Sequence, residues 1–130
     1  MIKMARKLTV KKSESIKPIP GDVYPAKLVR IDDGEGGFGE YYKFVFEISE
    51  ESAYQGEQRT LLASRKLSRS PKGESKLLNI LEVLAGNKLE LEEEVDVDDY
   101  VGKKCRILVE EPKERDGMII QNVTQVLPTK

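Results

Sequence analysis

The alternation of apolar and polar positions predicts a β-strand most clearly over residues 41–49. Side chains there repeat with a period of two for eight residues, which is typical of a strand with one buried face. The set expected to face the core is Tyr42, Phe44, Phe46 and Ile48. The set expected to lie on the other face of the strand is Tyr41, Lys43, Val45 and Glu47.

Four further segments have a strand-like composition, rich in β-branched and apolar residues. They are residues 23–31, 57–64, 105–109 and 118–127. The inner face of residues 57–64 stays open, because Leu61, Leu62 and Ala63 run together and hide any alternation. Loops are predicted over residues 32–39, which hold four glycines, and over residues 111–117.

One amphipathic helix is predicted between the third and fourth strands. Leu77, Ile80, Leu81 and Leu84 recur at helical spacing, and Gly86 is a suitable helix stop. The order strand, strand, strand, helix, strand, strand excludes alternating parallel βαβ units. Closing five short antiparallel strands into a barrel would remove most of their exposed edges, with the helix over an open end. A β-sandwich is the second choice, since it needs about seven strands and no helix.

Charge is unevenly distributed, although the 130 residues carry a formal net charge of only -1. We expect one domain over residues 21–130, preceded by a basic and flexible arm over residues 1–20. The arm holds six bases against one acid, which suits binding to a nucleic-acid backbone. The alternatives are a disordered solubility tail and contact with a neighbouring subunit. Residues 90–99 hold seven acids and no base. A solvated linker is the favoured interpretation of that stretch, with contact to the arm of another copy as the alternative.

The available side-chain chemistry argues against an enzyme. The chain has no histidine, the commonest general base and metal ligand, and its single cysteine, Cys105, cannot form a structural zinc site. The glycine-rich segment lacks the lysine and the following helix of a P-loop. We therefore predict no catalytic residue, no metal and no cofactor.

No apolar run approaches the roughly 20 residues needed to cross a bilayer. The N-terminus also lacks the apolar core of a secretory signal, and a single cysteine suits a reducing compartment. A cytoplasmic protein without a membrane partner is expected.

Four stretches resemble the OB-fold proteins of single-stranded DNA metabolism, in particular the small ones of bacteriophages and archaea. They are residues 21–26 (GDVYPA), 42–48 (YKFVFEI), 77–86 and 100–105 (YVGKKC). The similarity covers roughly residues 21–127 as a pattern without a signature motif. It implies a mainly β protein, a five-stranded OB-type antiparallel barrel with one helix between strands three and four. OB folds also bind sugars, proteins and RNA, so the fold alone does not select the ligand.

In an OB fold the exposed side of strands two and three, flanked by two loops, binds the ligand. This sequence offers aromatic rings for base stacking there, and cations for phosphates. The predicted nucleic-acid-binding residues are Phe38, Tyr41, Lys43, Arg59, Arg65, Lys66, Arg69 and Lys72. The alternative is that the cations only solvate the surface and that Phe38 packs into an end of the barrel.

The sequence thus predicts binding of single-stranded nucleic acid, DNA before RNA, with little sequence preference, in DNA replication or recombination. Expected partners are single-stranded DNA, replication or recombination proteins, and further copies of the chain in a homo-oligomer. The alternative is a protein–protein adaptor or accessory subunit whose strand edges pair with a partner. Five tyrosines, three phenylalanines and no tryptophan are few for a stacking surface, which keeps that alternative open.

Overall fold

Nine strands and one α-helix make up the part of the chain that the computed structural model describes, residues 17–37, 39–50, 52–71, 73–90 and 94–129. In chain order they are β1 (Asp22–Gly36), β2 (Gly39–Ile48), β3 (Gln58–Ser64), β4 (Arg69–Ser70), β5 (Gly73–Glu74), α1 (Lys76–Ala85), β6 (Lys104–Val109), β7 (Lys113–Arg115), β8 (Met118–Ile120) and β9 (Val123–Leu127).

Five of these strands form one antiparallel sheet in the order β3-β2-β1-β6-β9, and β4–β5 and β7–β8 are separate two-stranded hairpins. The mainly β, antiparallel prediction is therefore confirmed. The predicted closed barrel is wrong for the backbone, because no hydrogen-bonded ladder joins β3 to β9 among the described residues. Counted over all nine strands, the helix follows the fifth, since the sequence analysis missed the short β4–β5 hairpin.

Strand β1 runs well beyond its predicted end. Its residues 22–27 pair with β6 and its residues 26–36 pair with β2, and a register shift lies between Leu28 and Arg30 within the β1–β2 ladder. A bulge of this kind bends and twists a strand, so that it can join two parts of a curved sheet. The glycine-rich segment predicted as a loop is largely the end of this β1–β2 ribbon, with Gly36 opposite Gly39.

The alternation of strand β2 sets the core as predicted. Phe44, Phe46 and Ile48 are completely buried, Tyr42 is half-buried, and Val45 on the opposite side is buried as well. On β3, Leu61 and Ala63 are buried whereas Leu62 is 46% exposed, which settles the face that the sequence left open.

Helix α1 confirms the spacing argument. Ser75 caps its N-terminus by accepting a hydrogen bond from the Leu78 N–H, and Gly86 ends it with a φ of 81°. Glycine adopts this left-handed conformation without the strain that a Cβ would cause. The buried leucines of the helix pack against β3, β6 and β9, including both edges of the sheet.

Two charged stretches of the sequence are only partly covered by the description. Ile19, assigned to the arm from sequence, belongs to the core with 2% of its surface exposed, whereas residues 1–16 lie outside the described residues. Of the acidic stretch, residues 94–99 are described, and a 3₁₀ turn over Val97–Tyr100 buries Tyr100. Within the described part of the chain, no helix is long and apolar enough to cross a membrane.

Candidate nucleic-acid interface

The outer face of β1, β2 and β3 is the sheet surface that does not face the core. Cross-strand pairing orders its side chains into four rows, each with one residue from β1, β2 and β3. The rows are Gly34/Tyr41/Ser64, Asp32/Lys43/Leu62, Arg30/Val45/Thr60 and Lys27/Glu47/Gln58. Tyr41 and Lys43 are the predicted binding residues that β1, β2 and β3 place on this face among the described residues.

The Tyr41 ring lies directly over Gly34. A Cβ atom at position 34 would come within 2.3 Å of two ring carbons of Tyr41, far closer than van der Waals contact. Only glycine therefore lets the ring pack flat on the neighbouring strand. The half-buried ring is held in place by the sheet, an arrangement suited to stacking with a planar ligand.

The second row places a cation beside an exposed apolar side chain. Lys43 is flanked in register by Asp32 and by Leu62. The Asp32 carboxylate accepts from Arg30 Nε at 3.0 Å, whereas Lys43 makes no ion pair with a described residue. Lys43 thus places a cation on the outer face, two residues along β2 from Tyr41.

Arg59 does not lie on the outer face, contrary to the sequence prediction. It shares the inner face of β3 with Leu61 and Ala63, and only 2% of it is exposed. Its guanidinium donates to the Lys17 carbonyl at 2.6 Å, to the Gln58 carbonyl at 2.7 Å and to Gln121 Oε1 at 3.2 Å. A cation that is so enclosed and so fully hydrogen-bonded supports the fold and cannot reach a phosphate.

Arg65 also lies on the inner side, beyond the end of β3. Its guanidinium carbon is 4.8 Å from the centre of the Tyr42 ring, and its terminal nitrogens lie 3.5 Å from Asp33 and 3.4 Å from Glu40. Two carboxylates thus offset its charge. The prediction that Arg65 contributes to the same face as Tyr41 is wrong, because the strand alternation puts the two on opposite sides.

Arg69 is held in a network that connects three parts of the chain. It pairs with Glu74 at 2.9 Å and with Glu82, and it donates to the Leu89 carbonyl at 3.0 Å. Lys66 is exposed and makes no ion pair with any residue in the described ranges. Phe38 and Lys72 lie outside the described residues, so their predicted roles stay predictions.

The residues that sequence reasoning missed are those that join the sheet edges. Gln121 is buried; its amide nitrogen donates to the Ile19 carbonyl at 2.6 Å and the Glu110 carbonyl at 2.7 Å, and its Oε1 accepts from the Ile19 N–H. Nothing in the local sequence marks this glutamine, which is followed by Asn122 inside the segment 118–127 that was predicted as one strand. The role of Gly34 was only weakly indicated in the sequence, by the position of a glycine close to an aromatic-rich strand.

Cys105 is a buried strand residue. Burial raises the pKa of its thiol to about 12, which keeps it neutral at physiological pH. A neutral, enclosed thiol is a poor nucleophile. Among the described residues, no group of three or more acidic, histidine or cysteine side chains is arranged to hold a metal ion.

Comparison with known proteins adds no functional assignment: no protein-family profile matches the chain, and no curated protein sequence matches it significantly.

Proposed function

We propose that this protein binds single-stranded nucleic acid on the outer face, with Tyr41 as the stacking platform and Lys43 as a phosphate contact. The observation that carries the proposal is the Tyr41 ring packed on Gly34, beside Lys43 and the exposed Leu62. A ring fixed in advance loses little conformational freedom when a base stacks on it, and such stacking contributes about 1–3 kcal/mol per base. Because every base has a planar face, binding of this kind has little sequence preference.

A strand order like that of the OB fold supports the proposal. The order β3-β2-β1-β6-β9, with the helix between the third and fourth strands of the sheet, is the connectivity expected of that fold. The free edges β3 and β9 lie next to each other, and the Arg59–Gln121 hydrogen bonds bridge them without a backbone ladder. OB folds use the face of strands two and three for oligonucleotides.

The direct test is a fluorescence anisotropy titration of labelled oligo(dT) with Tyr41→Ala and Tyr41→Phe. Loss of one stacked base should weaken binding roughly 5- to 150-fold in Tyr41→Ala. Tyr41→Phe keeps the ring and should bind within about twofold of the wild type, because stacking does not need the hydroxyl. Absence of oligo(dT) binding by the wild type, or equal affinity of Tyr41→Ala, would contradict the proposal.

A matched glycine pair tests the platform itself. Gly34→Ala pushes a methyl group into the Tyr41 ring, whereas Gly36→Ala places its methyl 3.6 Å from the nearest ring carbon, at ordinary contact distance. We expect Gly34→Ala to shift the Tyr41 ring resonances in NMR spectra and to weaken oligo(dT) binding toward the level of Tyr41→Ala. Gly36→Ala should do neither. Equal binding by both glycine variants would show that the ring position is irrelevant to the ligand.

A second candidate function, a protein–protein adaptor, is favoured by one observation. In the described residues the backbone of β3 pairs only with β2, and that of β9 only with β6. An extended peptide can add to such an edge by backbone hydrogen bonding. This function predicts no salt-sensitive oligo(dT) binding, and protection of β3 amides from hydrogen exchange when the partner is present.

A further inference from the structure

We infer that a groove beside the outer face holds the sugar–phosphate backbone of the nucleic acid after it leaves Tyr41, an inference that rests on the proposed function. The groove has a volume of about 600 Å³ and lies between the first half of β1, the end of β2, β6 and Thr129. Three cations line it, Lys27, Lys104 and Arg106, together with Glu47 and Glu50.

Two of the groove cations, Lys27 and Lys104, lie in positions where they repel each other in the free protein. Lys27 and Lys104 are directly opposite each other on antiparallel β1 and β6, and both are exposed. Like charges at such a position repel. Neither lysine makes an ion pair with a described residue, and the carboxylate of Glu47, next to Lys27 in register, instead accepts from Gln58 Nε2 at 3.2 Å. An anionic ligand between the two ammonium groups would remove this repulsion.

Arg106 adds a held cation to the same groove. It lies opposite Pro25 on β1, two residues after Lys104 on β6. Its Nε donates to the Pro128 carbonyl at 2.8 Å, which fixes the guanidinium against the C-terminal segment. A fixed guanidinium is well suited to phosphate oxygens, because its donors form a planar fork.

The groove continues the outer face. Lys27 and Glu47 line the groove and also belong to the fourth row of the outer face. Glu47 lies six residues along β2 from Tyr41, a distance of roughly 20 Å in a strand. That span is compatible with the binding sites of about 4–16 nucleotides that single OB folds occupy. A single strand stacked on Tyr41 would therefore pass Lys43 and reach Lys27 and Lys104.

The test compares two double variants with the same change in net charge. Lys27→Gln/Lys104→Gln removes the groove lysines, and Lys76→Gln/Lys88→Gln removes two exposed lysines on and just after α1. With oligo(dT), we expect the groove variant to lose roughly tenfold in affinity at low salt and about 1.4 from the slope of log K against log salt, since each phosphate contact on a single strand contributes about 0.7. The control variant should keep the wild-type slope.

Three outcomes would overturn the inference. An unchanged slope in the groove variant, while Tyr41→Ala still weakens binding, would exclude the groove and leave the proposed function intact. No binding of oligo(dT) by the wild type would overturn both. A melting temperature of the groove variant below that of the wild type would show that the lysines serve the fold, because removal of their repulsion should leave the free protein at least as stable.

Discussion

Arg59 illustrates at the residue scale how alternation, and not charge, determines where a side chain lies. An arginine in a strand is expected to be exposed, yet Arg59 is two residues before Leu61 and four before Ala63, both buried. The alternation of β3 therefore places Arg59 on the inner face of the sheet, together with Leu61 and Ala63. Its charge is tolerated there because carbonyl and amide oxygens, together with Glu57 at 3.3 Å, surround the guanidinium.

Arg59→Ala is therefore expected to destabilise the protein, and not to remove a ligand contact. The variant removes the side-chain donor of the Lys17 carbonyl and leaves Gln121 Oε1 with only the Ile19 N–H in an enclosed site. Breaking a buried charged network in this way costs about 3–5 kcal/mol. Arg30→Ala is the matched control, because Arg30 also pairs with an acid on the same sheet but is more than half exposed. That control should cost less than about 1 kcal/mol. Urea denaturation followed by circular dichroism measures both, and equal unfolding free energies would refute a structural role for Arg59.

At the scale of elements, the strand and the helix with a strong periodicity were predictable from the sequence, whereas the glycine-rich end of the β1–β2 ribbon was not. Strand β2 and helix α1 followed from their spacing, because each buries one regular face. The end of β1 looked like a loop, since the pattern does not reveal that Gly34 makes room for a ring on the next strand. The β4–β5 and β7–β8 hairpins are two or three residues per strand, too short for any alternation to show.

The candidate site was predictable to the same extent as the strand that carries it. Tyr41 and Lys43 were placed correctly because the alternation of β2 is clear. Arg59 and Arg65 were misplaced because Leu61, Leu62 and Ala63 gave no way to choose the inner face of β3. Arg69 looked like part of a basic surface, whereas its acidic partners are up to 13 residues away along the chain.

Glu82 connects three elements and should make their docking dependent on pH. Burial raises the pKa of this carboxyl group, but the hydrogen bond from the Leu89 N–H and the charge of Arg69 help to outweigh burial and lower the pKa below the ordinary value of 4.5. A group with a lowered folded pKa stabilises the protein above its unfolded pKa, and this contribution is lost as the pH falls through the folded pKa. At neutral pH the contribution should be fully present.

Glu82→Gln isolates that contribution from the effects of other carboxylates. At pH 7 the variant should be less stable than the wild type by about 1–3 kcal/mol, because it loses charge-assisted hydrogen bonds to Arg69. The gap should narrow as the pH falls below 4.5, when Glu82 in the wild type becomes protonated. Urea denaturation of both proteins between pH 3 and pH 7 measures the gap, and a constant difference would mean that the ionised form has no special role.

For the whole molecule, side chains and not backbone pairing bring the two edges of the sheet together. Arg59 on β3 and Gln121 just before β9 face each other, and α1 contacts both edge strands. Arg59 also donates to the Lys17 carbonyl, and Gln121 hydrogen-bonds to the backbone of Ile19. This arrangement keeps the outer face continuous from Tyr41 to the groove while the charged arginines of β3 and its extension stay on the inner side. The cations left on the outer side are consequently few.

The small number of outer cations predicts a modest salt dependence for the whole protein. With a formal net charge of -1, the molecule has no strong overall field to draw in a polyanion, so affinity must come from local contacts. Lys43 and the three groove cations, together with the exposed Lys66 beyond the end of β3, can neutralise about three to five phosphates. At about 0.7 per phosphate on a single strand, log K for oligo(dT) should fall against log salt with a slope of about -2 to -3.5. Anisotropy titrations from 50 to 300 mM salt give this slope directly.

A slope steeper than about -5 would require more phosphate contacts than the outer face and groove contain, and would assign the difference to the six bases of residues 1–20.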